Sequence, residues 1–171
     1  MASVIDGKAI AAEIRSEVQV SVSALTRDTG IVPGLAVVLV GDNPASQVYV
    51  RNKQKSAREI GMNPMDIKFH QDVDITTIEA QLDQLNEDES VHGILVQLPL
   101  PDHLDEKSII RRINPMKDVD GLHPENVGLL LAGTSRFVPA TPAGIQELLM
   151  RTNNNPSGQH VVVCGRSDIV G

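Results

Sequence analysis

Apolar residues follow two rhythms along this chain. Ile10, Ile14, Val18, Val22 and Leu25 recur every three or four positions, the period of a helix with one buried stripe, with Asp6 placed to cap its start and Gly30 its end. The run GLAVVLV at 34–40 is apolar without alternation, as a strand covered on both faces is. Asn43 and Pro44 then make a cap and first-position pair, and Gly61 marks the stop of the helix they open. A second short strand is expected at 65–69. Thr76 and Glu79 form a capping box for a helix to about residue 86, with Ile78, Leu82 and Leu85 inward, and HGILVQL at 92–98 reads as a third buried strand. Strand and helix alternate, which predicts an α/β fold with a mostly parallel sheet.

Beyond residue 98 the pattern loosens. The prolines of LPLP, 98–101, lack the donors a sheet needs, so this segment is expected to form a stiff cleft wall. Helices are expected at 107–113, 124–132 and 142–151, the last with Thr141 as cap and Pro142 as its first residue. Residues 153–158, NNNPSG, read as a polar linker, and 160–164 as another apolar strand that runs into GRSDIVG and buries Cys164 as inert core packing.

With 171 residues and 41% apolar content, the chain can bury one good core and begin a second domain. A net charge of −7 argues against general binding of nucleic acid or anionic membrane. The three aromatics, Tyr49, Phe69 and Phe137, are too few for a base-stacking platform. One cysteine, no signal-peptide pattern and no apolar run approaching the ~20 residues of a membrane span make the cytoplasm the expected setting. The five histidines are scattered without metal-ligand spacing. A calcium loop around Asp118 and Asp120 fails because aligning Gly121 to its turn glycine puts Met116 and Val127 where oxygen ligands belong. No metal is therefore expected.

Candidate chemistry centres on the helix after Asn43. At 100° per residue, Arg51, Asn52, Gln54, Lys55, Arg58 and Glu59 share the side expected to face water, while Lys53 falls among Ser46, Tyr49, Val50, Ser56, Ala57 and Ile60. No carboxylate lies three or four residues from Lys53, and desolvation of such a lysine makes it a usable base. The plainer alternative is a lysine that snorkels past an apolar edge to solvent. Val40 and Val96 end strands whose loops can face one cleft, since ligands gather beyond the carboxyl ends of parallel strands. Gln97 closes the third strand, either as a partner for Lys53 or a ligand, or as an ordinary strand-end amide. Asp120 before Gly121 makes a turn or accepts from the donor edge of a heterocycle. Gly165 suggests a phosphate-cradling turn, but the dinucleotide fingerprint also needs glycines where Ser167 and Val170 stand.

Taken together and in this order, VGDNPASQVYVRNKQKSAREIG, GILVQLPLP, KDVDGLHPENVG, TPAGIQELL and VVVCGRSDIVG resemble the bifunctional methylenetetrahydrofolate dehydrogenase (NADP+)/methenyltetrahydrofolate cyclohydrolase family. The resemblance implies a three-layer α/β catalytic domain with a mostly parallel sheet over residues 1–121, then linking helices and the truncated start of a Rossmann-type NADP domain over 122–171. It implies that Lys53 is the general acid/base, that Tyr49 lies along the substrate, and that Gln97 tunes the lysine. Asp120 would hold the pterin, and Ser46, Leu98 and Pro99 would line the folate site. Gly165, Arg166 and Ser167 match the cofactor turn, with Arg166 suited to the 2′-phosphate of NADP. The implied activity oxidises 5,10-methylenetetrahydrofolate with NADP+ and hydrolyses the product to 10-formyltetrahydrofolate, in a homodimer. The alternative is a folate-binding or cyclohydrolase-only fragment. Family members continue past GRSDIVG, so a recognisable folate cleft and an incomplete NADP site are expected.

Overall fold

The computed structural model describes residues 4–167. Along the chain come α1 (Gly7–Thr29), β1 (Gly34–Val40), α2 (Pro44–Glu59), β2 (Asn63–Phe69), α3 (Ile75–Glu87), β3 (Gly93–Val96), α4 (Glu106–Arg112), α5 (Pro124–Leu131) and α6 (Ala140–Arg151). The strands form one parallel sheet in the order β2-β1-β3, so β1 is hydrogen-bonded on both sides. Successive side chains of a strand point to opposite faces. Ala36, Val38 and Val40 accordingly join Ile78, Leu82 and Leu85 of α3 and Ile109 of α4, while Val37 and Leu39 meet Val50 of α2 and Leu95 of β3. Helices thus cover both faces, giving three layers. A strand enclosed in this way has no wet face, which is why its sequence does not alternate.

The expected caps of α1 and α2 are present. Asp6 accepts from the amides of Lys8 and Ala9 at 3.0 Å, Asn43 accepts from those of Ala45 and Ser46 at 3.0 and 3.1 Å, and Gly30 closes α1 at φ +74°. The cap of α3 differs. Asp74, not Thr76, is the cap, accepting from Thr77 N at 2.9 Å, from Thr77 Oγ1 at 2.8 Å and from the Thr76 hydroxyl. Its two carboxylate oxygens hold both threonines, which a single Thr76 hydroxyl cannot do. The start of α6 differs as well: the helix begins at Ala140 behind Pro139, with no side-chain cap bond. Pro142 therefore sits inside the first turn, where a missing N–H leaves no bond unmade.

β2 starts at Asn63 and includes Pro64, tolerated because β2 is an edge strand. β3 ends at Val96, although Gln97 N still donates to Val38 O at 2.9 Å. Within the α1 stripe Ile10 and Val22 are buried, whereas Val18 and Leu25 are exposed, so the expected stripe is only partly covered.

The largest departure is at 160–164. The expected strand pairs with nothing among the described residues, and Val161, Val162, Val163 and Cys164 are exposed rather than buried. An apolar run becomes a strand only when a neighbour takes its amides and carbonyls. Val170 and the continuation beyond Ser167 lie outside the described residues. No helix among those described is long and apolar enough to cross a membrane.

Two expectations follow from the packing. Leu82 is fully buried in the larger core, so Leu82→Ala should cost about 2–5 kcal/mol, read as a lower urea midpoint with an unchanged slope. The Asp74 carboxyl is held down at about 2 by the hydroxyls of Thr76 and Thr77 and the Thr77 amide. Because the folded value lies below the unfolded one, this contribution is complete above about pH 4 and is lost as pH falls toward 2. Acid unfolding of Asp74→Ala should be shallower across that window, and a curve superimposable on the parent's would contradict the cap.

Candidate active site

The loop after β1 delivers α2 to the carboxyl edge of the sheet, where α2 packs on both β1 and β2. That double seat turns the helix from the orientation its apolar pattern suggests. Its buried positions are Ser46, Val50, Gln54 and Ala57. Gln54, expected in water, is only 7% exposed, and its Nε2 has no hydrogen-bond partner among the described residues. Lys53 is half-buried at the rim of this face rather than at its middle.

The rim position opens Lys53 to a cavity of about 430 Å3. Tyr49 stands one turn before it on the same wall. Across from them are Val96, Gln97 and Leu98 at the end of β3, Asp120 and Leu122, and the first turn of α6 with Ala140 and Thr141. Lys53 Nζ donates to Gln97 Oε1 at 3.2 Å, and Gln97 Nε2 donates to Leu98 O at 2.7 Å. The second bond orients the amide so that its oxygen faces the lysine.

Asp120 supplies the anion that α2 lacks. Burial pushes its carboxyl above the usual range, the nearby charge of Asp118 adds to the rise, and Lys53 opposes it. The cavity therefore combines an amine, a carboxyl that holds its proton more readily than usual, and an apolar wall. That set suits a flat heterocycle with donors and acceptors on one edge.

The segment carrying Asp120 runs beside β3, with Ile94 N donating to Lys117 O at 2.7 Å. Gly121 turns it at φ +69°, and a Cβ there would stand 3.5 Å from Phe137 O and Pro139 Cδ. Lys117 Nζ donates to the carbonyls of Leu85, Asn86 and Asp88 at 3.0, 2.7 and 2.8 Å, capping the carboxyl end of α3. Lys117 has no periodic signal, and Asp118 stands out in the sequence only as a failed calcium ligand. Their single warning is a polar run that packs against an apolar strand.

Other expected site residues lie elsewhere. Ser46 is 3% exposed and does not line the cavity, because α2 turns it into the packed face. The Leu98–Pro99 peptide is cis, and the LPLP segment is a partition: Leu98 faces the Lys53 cavity, whereas Pro99 lines a second one of about 380 Å3 with Gly41, Asp42 and Gln71. Gly165, Arg166 and Ser167 are exposed, line neither cavity, and adjoin neither a paired strand nor a helix start among the described residues. A dinucleotide cradle needs backbone amides converging at a helix N-terminus, and the positions that would follow this turn, 168–171, lie outside the described residues. Among the described residues no group of three or more His, Cys, Asp or Glu is placed to hold a metal ion.

Comparison with known proteins bears on this geometry. The family model described as tetrahydrofolate dehydrogenase/cyclohydrolase, catalytic domain, matches residues 5–120. The chain is 54% identical over 170 residues to the bifunctional protein FolD 2 of Roseobacter denitrificans, covering 99% of this chain and 57% of that one, and 49% identical over 171 residues to the bifunctional protein FolD of Streptococcus pyogenes, covering 100% and 60%. Among solved structures it superposes on the FolD methylenetetrahydrofolate dehydrogenase/cyclohydrolase of Campylobacter jejuni with a TM-score of 0.94 at 44% identity, covering 99% of this chain and 60% of that one. It superposes on the Trypanosoma brucei FolD, complexed with NADP cofactor and inhibitor, with a TM-score of 0.95 at 39% identity, covering 99% and 58%. The chain thus spans about three-fifths of the length of the relatives it matches. Sequence match and chain trace agree from the first helix through the segment that carries Asp120, and the chain belongs to the tetrahydrofolate dehydrogenase/cyclohydrolase family.

Proposed function

We propose that this chain carries the folate-binding and proton-transfer part of a methylenetetrahydrofolate dehydrogenase/methenyltetrahydrofolate cyclohydrolase, with the domain division near residue 121. The observation that carries the reading is the 3.2 Å bond from Lys53 to Gln97 across a cavity that also holds Asp120. Asp120 faces the donor edge of the pterin, Tyr49 lies along the body of the substrate, and Leu98 supplies the apolar wall. Ser46 and Pro99, outside this cavity, support α2 and the partition.

In the hydrolytic step, water adds to the methenyl carbon of 5,10-methenyltetrahydrofolate while Lys53 takes a proton from it. The carbon–nitrogen bond then breaks, and Lys53 returns a proton to the departing ring nitrogen, giving 10-formyltetrahydrofolate with one net proton released. Gln97 holds the amine over the reacting carbon. NADP, when bound, supplies the acceptor for the hydride in the preceding oxidation. Gly165, Arg166 and Ser167 are the residues of this chain that match its binding turn, with Arg166 suited to the 2′-phosphate, and no step of hydride transfer is given to a side chain here. A homodimer and a cytoplasmic setting go with this reading and rest on the family.

Lys53→Arg keeps the charge, but a guanidinium cannot become neutral near pH 7. It should lower methenyltetrahydrofolate hydrolysis by about 10²–10⁴-fold with binding retained, and undiminished hydrolysis would remove Lys53 from the proton path. Asp120→Ala should weaken folate binding by about tenfold or more, measured by fluorescence titration without nucleotide. Hydrolysis of methenyltetrahydrofolate with no nucleotide present tests the proton-transfer part by itself.

A further inference from the structure

The buried residue of α5 is polar: Asn126 is 0% exposed, while Leu130 and Leu131 on the same helix face outward. Burying an amide is unfavourable unless its hydrogen bonds are filled. Asn126 fills three. Nδ2 donates to Pro115 O at 2.9 Å and to Asp118 Oδ2 at 2.8 Å, and Oδ1 accepts from Arg136 Nη1 at 3.0 Å. Arg136 is itself held by Glu125 at 3.1 Å. A guanidinium only donates, so it fixes the amide with both N–H groups toward the 115–118 turn. Asp118 Oδ2 takes another bond from His123 N at 2.8 Å. The segment bearing Asp120 is therefore tied on both sides to one carboxylate oxygen. Neither Asn126, Asp118 nor Arg136 lines the Lys53 cavity.

We infer that Asn126 is a positioning residue for Asp120. Through Asp118 it closes residues 118–123 into a single turn that holds the Asp120 carboxyl over the cavity, and Arg136 orients the amide that does so. The effect on ligand binding rests on the reading of Asp120 as the group that holds the pterin. The placement of the carboxyl does not.

The test uses the full chain with Asn126→Leu and, as a control for general destabilisation, Leu82→Ala in the core away from the turn. Two quantities are measured: titration of the Asp120 carboxyl by carbon-detected NMR, and binding of 5,10-methenyltetrahydrofolate. The charged and titratable groups facing Asp120 are Lys53 and Tyr49 from α2 and Asp118 from its own segment. In Asn126→Leu the carboxyl should move back toward the ordinary range as the loosened turn admits water, and Kd should rise about tenfold, the worth of one hydrogen bond to a charged group. The KM of hydrolysis should rise more than kcat falls, because Lys53 and Gln97 are untouched. Leu82→Ala, which loosens the core without touching the turn, should leave both titration and binding unchanged. Unchanged titration and binding in Asn126→Leu overturn the inference, as does an equal change in Leu82→Ala, which assigns the loss to general destabilisation. If Asp120→Ala binds folate as well as the parent does, the pterin assignment falls while the titration still decides the positioning. Should Asn126→Leu not fold, Arg136→Met releases the same amide from the surface side; a smaller shift in the same direction supports the inference and no shift overturns it.

Discussion

β1 is paired in parallel on both sides, and the rest of the structure follows from that. Parallel neighbours cannot be joined by a hairpin, so the chain must cross the sheet as a helix between strands, and α2 and α3 do so on opposite faces. All three strands then end at the same edge, and the loops after them have to share it. Lys53 and Gln97 lie 44 positions apart in the chain. They meet because one stands on the helix that leaves β1 and the other closes the strand beside β1.

The second requirement is a polar interior with its hydrogen bonds satisfied. A net hydrogen bond contributes about 0.5–1.5 kcal/mol, whereas a buried group stripped of its partner costs about 1–3 kcal/mol. That asymmetry makes the bonds among Asp118, Asn126 and the His123 amide a strong selector of one turn geometry, even though their net contribution to stability is modest. Arg112 with Asp83 and Arg151 with Glu17 show shorter distances, but all four side chains reach water, where screening removes most of the attraction. Short surface pairs ornament this fold. The buried network at 115–126 shapes its cavity.

Legibility in the sequence divides along the same line. Most caps and breaks were readable because they are local: Asp6, Asn43, Gly30 and the apolar run at 34–40 each act on residues within a few positions. Asp74 was hidden because Thr76 and Glu79 fit a capping box, and only the folded turn shows that the Thr77 amide meets the Asp74 carboxylate. The helical projection of α2 set Tyr49 and Lys53 on the covered face and Gln54 in water, whereas Tyr49 is exposed, Lys53 is half-buried and Gln54 is buried, since the projection cannot know that β2 as well as β1 lies beneath the helix. Apolar composition at 160–164 suggested a strand, but no described strand is there to pair with it.

By itself, the order of residues determined where helices and strands alternate, that the sheet is parallel and covered on both sides, and that Lys53, Gln97 and Asp120 are candidates for chemistry. The folded arrangement alone decided that these three share one cavity, that Ser46 and Pro99 are turned away from it, and that Asn126 is an interior residue of a helix that otherwise faces outward. Periodicity and capping depend on neighbours along the chain. Burial, charge coupling and strand pairing depend on neighbours in space, and in this protein those are brought together from positions tens of residues apart.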